Sequence, residues 1–217
     1  MKLGFFTMHR AHICAGHRHG AMLRPYQKPH PPIVVTAVAP HSKGVTEAAK
    51  RGWTPISANF LLPEWVKSHW PRYVEGCEAA GRKPDGKDWR VAKSIFVADD
   101  ERTAKEYGHG AKGPYHFYFK QLIRKLVGLG GRGNLFKLDQ NEPDSSITAD
   151  AMTPRLVFAG TVNNVVEQIL AFREKVGPFG TLYYPGHDWV DPRLAKRSME
   201  LMVEQVMPKV NAALREQ

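Results

Sequence analysis

Three polar residues stand where apolar runs of this 217-residue chain end, and their side chains could bind a ligand. Ser57 and Asn59 follow a run that starts at Trp53, and Ser42 opens a helical pattern just after an earlier run. Ligands bind at the carboxyl ends of parallel strands, and a helix N-terminus with a hydroxyl can hold a phosphate. Ser42, Ser57 and Asn59 are therefore candidates for ligand contacts, with helix capping and turn formation as the structural alternatives.

A second candidate cluster follows the last apolar run, Gly180 to Tyr184. His187, Asp188 and Trp189 combine an imidazole, a carboxylate and a large aromatic ring. Their place directly after a predicted strand suggests that His187 and Trp189 border a ligand pocket. An Asp-Pro turn with a packed Trp is the alternative, and none of the three is assigned as a catalytic base.

Two weaker motifs are present. The glycines between Gly128 and Gly133 spell the GxGxxG string, but the string follows a helical pattern, where a dinucleotide site needs a preceding strand, so we favour a loop. Zinc donors lie close together near the start of the chain, without the paired spacing of a structural zinc site, so we predict no metal. They are His9, His12, Cys14, His17 and His19.

Strands alternating with helices must position the candidate residues. Short β-branched runs predict about five strands, whereas 3.6-residue periodicity predicts the helices, so the pattern favours a mainly parallel α/β sheet or barrel. Two stretches predict no regular structure: residues 9–32, a His- and Pro-rich connection, and residues 128–150, a long loop that could move as a lid. The predicted strands are Leu3–Met8, Ile33–Val38, Trp53–Ser57, Val91–Ala98 and Gly180–Tyr184.

The composition excludes several classes of protein. With 42% hydrophobic residues the chain can bury a core, and no run approaches the ~20 apolar residues that a membrane span needs. The net charge is +10, but the basic residues are spread along helical patterns rather than gathered, so we expect no nucleic-acid partner. The two cysteines form no CxxC pair, which fits a reducing cytoplasm.

Several strings, taken in order, resemble the C-terminal half of bacterial luciferase-like, flavin-dependent monooxygenases, and Met1 to Met8 resembles the opening strand of that family. The chain thus resembles one luciferase-like domain over residues 1–217 that lacks the central part of the barrel. The strings are Leu23-Arg-Pro-Tyr-Gln-Lys-Pro-His-Pro-Pro32, Ala39-Pro-His-Ser42, Arg51-Gly-Trp-Thr-Pro-Ile-Ser57, Phe158-Ala-Gly-Thr161, Phe179-Gly-Thr-Leu182 and Gly186-His-Asp-Trp189.

The resemblance implies an incomplete TIM-barrel (β/α)8-like fold and an enzyme that uses reduced FMN, supplied by a separate flavin reductase, and O₂ to oxygenate a small apolar substrate. A deazaflavin stays open as the alternative cofactor. It also implies that Ser42 contacts the flavin phosphate, that Ser57 and Asn59 line the mouth, and that His187 and Trp189 border flavin or substrate. Because five strands cannot close a barrel that needs eight, we expect a homo- or hetero-oligomer, and a non-catalytic subunit is the alternative function.

Overall fold

The computed structural model describes Lys28 and residues 31–215 of the chain, so the predicted strand Leu3–Met8 and the His/Cys stretch lie outside the described residues. The described part contains six strands, and the count of about five is too low. The predicted strand Val91–Ala98 is split at Lys93, and a strand not predicted follows the sixth helix. The strands are β1 Val34–Ala37, β2 Thr54–Ser57, β3 Arg90–Ala92, β4 Ser94–Val97, β5 Val157–Gly160 and β6 Thr181–Tyr183.

Helices follow most of the strands, as the periodicity predicts. Two helices, over residues 63–67 and 69–79, are separated only by Ser68, whose backbone (φ −65°, ψ −12°) stays in the right-handed helical region. Wider π-helical turns extend three others at Ala104–His109, Arg124–Gly128 and Met202–Val206. The α-helices are α1 Lys43–Lys50, α2 Pro63–Lys67, α3 His69–Ala79, α4 Glu101–Thr103, α5 Pro114–Ile123, α6 Ala149–Leu156, α7 Val162–Val176, α8 Pro192–Leu201 and α9 Met207–Ala213.

All strand pairs in the described residues are parallel. One sheet has the order β1-β2-β3-β6, and β4 pairs with β5 in a second, two-stranded sheet. The chain passes from β3 to β4 through one residue, Lys93, so one bent strand belongs to both sheets. These findings confirm the predicted α/β class with parallel strands. Within the described part of the chain β1 pairs only with β2, which leaves the first sheet open at that edge.

The two faces of the first sheet are covered differently. Ala37 packs with Val45 and Tyr73 under α1 and α3, and Gly76 permits this close contact because a Cβ there would lie 2.4 Å from the Thr46 carbonyl oxygen. On the opposite face Val38 is 39% exposed. Among the described residues, the inner side of the sheet is therefore covered less completely at β1 than at β2, where Ile56 is buried.

The predicted loop 128–150 is fastened to the core. Leu135 and Phe136 are buried, and the Lys137 ammonium lies 2.8 Å from Asp144 Oδ1. The segment contains the 3-10 turns Gly133–Leu135 and Asp144–Ser146, and α6 already begins at Ala149. These contacts favour a fixed loop over a mobile lid. No described helix is long and apolar enough to span a membrane.

Candidate active site

A cavity of about 370 Å³ lies at the carboxyl ends of four parallel strands. Each of the four strands contributes to the cavity wall. The residues are Thr36 from β1, Ile56 from β2, Ala92 from β3 and Tyr183 from β6. Phe60 and Leu122 add to the wall, which is therefore mainly apolar and aromatic. A concave, largely apolar site with a few polar groups, at the end of a parallel sheet, is typical of small-molecule binding.

Asn59 and Tyr118 supply polar groups to the cavity wall. The Asn59 Nδ2 donates to Ser94 Oγ at 3.0 Å, and the Tyr118 hydroxyl donates to Asn59 Oδ1 at 3.4 Å. These bonds orient the Asn59 amide across the end of β2. Burial raises the pKa of Tyr118, so its hydroxyl stays protonated and remains a donor at neutral pH.

His187 also lines the cavity and is 8% exposed. Its ring lies against aromatic neighbours on several sides, with ring centroids 4.8 Å from both Tyr115 and Tyr118. Its Nε2 is buried, and no described residue forms a hydrogen bond to it. Burial lowers the pKa of His187 to about 4, against a smaller opposing effect of Asp188, so the ring is neutral at pH 7.

Trp189 lies outside the cavity lining and 52% of it is exposed. Its ring lies against His187 with a centroid distance of 4.4 Å and a tilt of 41°. It meets Phe117, which is also exposed, edge-on at 6.4 Å. The structure therefore brings His187 and Trp189 into contact, with His187 on the cavity side.

Ser57 is fully buried at the cavity, and its hydroxyl already has two partners. Trp89 Nε1 donates to Ser57 Oγ at 3.0 Å, and Ser57 Oγ lies 2.8 Å from His69 Nδ1. The other ring nitrogen of His69, Nε2, lies 2.8 Å from the Ala39 carbonyl oxygen. Burial lowers the pKa of His69, a shift that the Ala39 carbonyl opposes and nearby His41 reinforces.

Ser42 precedes α1 and is not part of the cavity wall. Its side chain makes no capping hydrogen bond to the helix, unlike the capping expected of this residue type. The preceding residue, His41, has a φ of 49°, an uncommon conformation outside glycine, and donates its backbone N–H to Ser68 Oγ at 2.8 Å. Of the five predicted site residues, Ser57, Asn59 and His187 share the cavity, Trp189 borders it through His187, and Ser42 lies apart.

The sequence analysis missed four polar residues of this region: Ser94, Tyr118, His69 and Trp89. A signal existed for Ser94, because alternation within the predicted strand Val91–Ala98 places it on one face with Ala92. The sequence signal for Tyr118 was weaker: it stands three residues after Tyr115, on the same face of the helix. The pairing of His69 with Ser57 joins a helix to a strand end and depends on tertiary structure.

A second depression, of about 640 Å³, lies on the outside of α7. Its wall includes Glu167, Glu174 and Arg173, and it contains no strand end. The described residues contain no group of three or more His, Cys, Asp or Glu side chains that could hold a metal ion. The cavity at the strand ends is therefore the stronger candidate for a cofactor or substrate site.

A profile of the luciferase-like monooxygenase family matches residues 7–178, which is most of the chain. The chain therefore belongs to the luciferase-like monooxygenase family. This class is the one that the parallel strands and the cavity at their ends indicate, and the family resemblance predicted from the sequence is confirmed.

Three comparisons with individual proteins agree. The chain is 28% identical to 3,6-diketocamphane 1,6-monooxygenase of Pseudomonas putida, over 83% of this chain and 47% of the relative. The structure of the oxygenating constituent of the P. putida 3,6-diketocamphane monooxygenase, in complex with FMN, superposes with a TM-score of 0.72 at 28% identity, over 83% of this chain and 49% of that one. An F420-dependent secondary alcohol dehydrogenase shares the fold, with a TM-score of 0.52 at 18% identity over 82% and 48%. The chain spans about half the length of the relatives it matches.

Proposed function

We propose that this chain binds reduced FMN and acts as a flavin-dependent monooxygenase on a small apolar organic substrate. The observation that carries the proposal is the apolar cavity at the ends of β1, β2, β3 and β6, with a neutral histidine and an oriented amide in its wall. The FMN in the P. putida structure, at 28% identity, supports the choice of cofactor. A deazaflavin remains the alternative cofactor.

The cavity residues fit the ring system of a flavin better than its phosphate. A flat ring with a polar edge suits an apolar wall that carries the Asn59 amide and the His187 ring. No lysine or arginine is among the described residues that line the cavity, so the phosphate needs a partner outside it. We assign that contact to Ser42, whose hydroxyl makes no capping bond, and place Ser57 and Trp189 at the border of the flavin.

Bound reduced flavin would supply the electrons that activate O₂, and the residues of this chain would bind, orient and exclude water. Ile56, Phe60 and Leu122 form apolar wall, which keeps the reacting centre dry. His187 is neutral at pH 7 and can hydrogen-bond a carbonyl or ring nitrogen without bringing in a charge. A separate reductase, a cytoplasmic location and an oligomeric state belong to the same proposal.

A fluorescence titration tests this function. Purified protein is titrated with FMN, oxidised and then chemically reduced under anaerobic conditions, with a deazaflavin in parallel. Saturable binding of FMN supports the proposal, and preference for the deazaflavin changes the cofactor. The proposal is contradicted if oxidised FMN, reduced FMN and the deazaflavin all fail to show saturable binding. Turnover is then tested with a flavin reductase, O₂ and a cyclic apolar ketone.

An associating, non-catalytic subunit is the second candidate function. The observation that favours it is the edge of β1 that pairs with no strand of the described residues, near which Ile33 and Val34 are more than one-third exposed. An uncovered edge strand with apolar side chains invites pairing with another chain. Size-exclusion chromatography with light scattering, run beside the FMN titration, separates the candidates. Saturable flavin binding favours the enzyme in either oligomeric state, and a stable oligomer without flavin binding favours the subunit.

A further inference from the structure

A continuous chain of hydrogen bonds lies beneath the cavity, and donor chemistry fixes its direction. The indole N–H of Trp89 can only donate, so Ser57 Oγ accepts from it at 3.0 Å. The hydroxyl hydrogen of Ser57 is then free to point at His69 Nδ1, 2.8 Å away. The Ala39 carbonyl oxygen can only accept, so Nε2 of His69 carries the hydrogen and donates at 2.8 Å. Because burial also lowers the pKa of His69, the ring is the neutral Nε2–H tautomer, and its Nδ1 accepts from Ser57.

The two nitrogens of His69 bind groups at the ends of two neighbouring strands. Ala39 stands two residues after the end of β1, and Ser57 is the last residue of β2. Val38, next to Ala39, and Ala58, next to Ser57, are both residues of the cavity wall. His69 itself belongs to α3, is fully buried and is not part of that wall.

We propose that His69 is a positioning residue, which bridges the carboxyl ends of β1 and β2 and so holds the adjoining cavity wall in its binding shape. The flavin part of this inference rests on the function proposed above, whereas the bridge itself does not. An imidazole suits the task because its two nitrogens are rigidly spaced, one accepting and one donating. Trp89 stiffens the bridge, since it stacks on Trp70 at 5.6 Å and packs edge-on against Phe179.

Two substitutions cut the bridge at opposite ends. His69→Asn keeps an oxygen near Nδ1 that can accept from Ser57, and loses the donor to Ala39. His69→Gln places an amide near Nε2 that can donate to Ala39, and loses the acceptor for Ser57. His109→Asn is the matched control, because His109 Nε2 also lies near a backbone carbonyl, that of Val157 at 3.1 Å, but outside the cavity wall.

Backbone amide exchange reads the bridge without any ligand. The Ala58 N–H bonds the Ala37 carbonyl at the cavity end of the β1–β2 pair, and the Thr54 N–H bonds the Ile33 carbonyl at the far end. We expect both His69 variants to lower the protection of Ala58 about tenfold and to leave Thr54 near its wild-type value. Equal loss at both amides, or loss at neither, overturns the proposal, because a general packing role would not act at one end.

Nitrogen NMR and ligand binding complete the test. The ¹⁵N spectrum of His69 should show the Nε2–H tautomer at pH 7, and an Nδ1–H tautomer or an imidazolium overturns the bridge. Each His69 variant should weaken FMN binding about tenfold, the value of one buried hydrogen bond, with His109→Asn unchanged. If wild-type protein binds no flavin, the proposed function fails, while the exchange and tautomer results still decide the bridge.

Discussion

Two buried histidines beside one cavity have opposite surroundings. His69 has both ring nitrogens in hydrogen bonds, with Ser57 and with Ala39. His187, 8% exposed, has a buried Nε2 without a partner in the described residues. Burial lowers the pKa of each ring, so both are neutral at pH 7. Because buried polar groups are nearly always hydrogen-bonded, the first histidine is accounted for by the fold, whereas the second requires an explanation such as a ligand.

Lys93, like His187, has a buried polar group without a hydrogen-bond partner among the described residues, unlike the hydrogen-bonded groups of Trp89, Ser57 and His69. Its ammonium group is buried in the bend between β3 and β4, lies 4.7 Å and 5.4 Å from the ring centroids of Phe158 and Phe172, and has no hydrogen-bond partner among the described residues. It lines neither the strand-end cavity nor the depression outside α7. Satisfied groups should therefore cost stability when removed, and unsatisfied groups should not.

Lys93→Met is expected to produce the largest effect, a stabilisation of ~2–4 kcal/mol at pH 7. Methionine is similar in length to lysine, and the substitution removes the buried amine. Burial lowers the pKa of Lys93 from 10.5 to about 7. Between these values the unfolded chain holds a proton that the folded chain lacks, so wild-type stability should rise with pH from 7 towards 10. Urea unfolding at several pH values measures this dependence. A destabilised Lys93→Met variant would contradict the expectation that removing a buried group without a hydrogen-bond partner costs no stability.

Ser57→Ala should destabilise the fold by ~2 kcal/mol, since it leaves the Trp89 indole N–H and His69 Nδ1 buried without partners. Chemical denaturation of the variant and of Thr161→Ala, an exposed hydroxyl substitution, gives the comparison. A cost no larger than that of the control would mean that the network beneath the cavity contributes nothing.

His187→Leu should change the free energy of unfolding by less than ~1 kcal/mol, because Nε2 of His187 has no hydrogen-bond partner among the described residues. If that nitrogen bonds the flavin, the variant should bind FMN about tenfold more weakly. His187→Gln, which keeps a hydrogen-bonding group, should recover part of the affinity. The folded pKa of about 4 lies below the unfolded value of ~6.5, so wild-type stability should fall from pH 6.5 towards 4, and both variants should lose that component of the slope.

Ser42→Ala should produce the smallest effect. Its side chain makes no capping bond, so the melting temperature should stay unchanged. If Ser42 contacts the phosphate, FMN affinity should fall about threefold and riboflavin affinity should not move. Equal changes in the affinities for FMN and riboflavin would contradict a contact between Ser42 and the flavin phosphate.

The local sequence pattern was sufficient to predict β1, β2 and β6, because each of these strands is marked by its own neighbouring residues. It also predicted the strand ends at which Ser57, Asn59 and His187 come together. It was insufficient where tertiary contacts decide. Val157–Gly160 is too short and too close to α6 and α7 to stand out, and it becomes β5 by pairing with β4. Likewise, nothing local distinguishes His69, which two bonds join to distant segments, from a surface histidine.

Hydrogen–deuterium exchange with and without reduced FMN tests the central claim most directly, since it locates binding as well as detecting it. We expect added protection in peptides covering residues 54–60 and 183–189, at the cavity, and none in residues 167–178, at the outer depression. Protection confined to residues 167–178, or no change at saturating FMN, would contradict the assignment of the strand-end cavity as the flavin site.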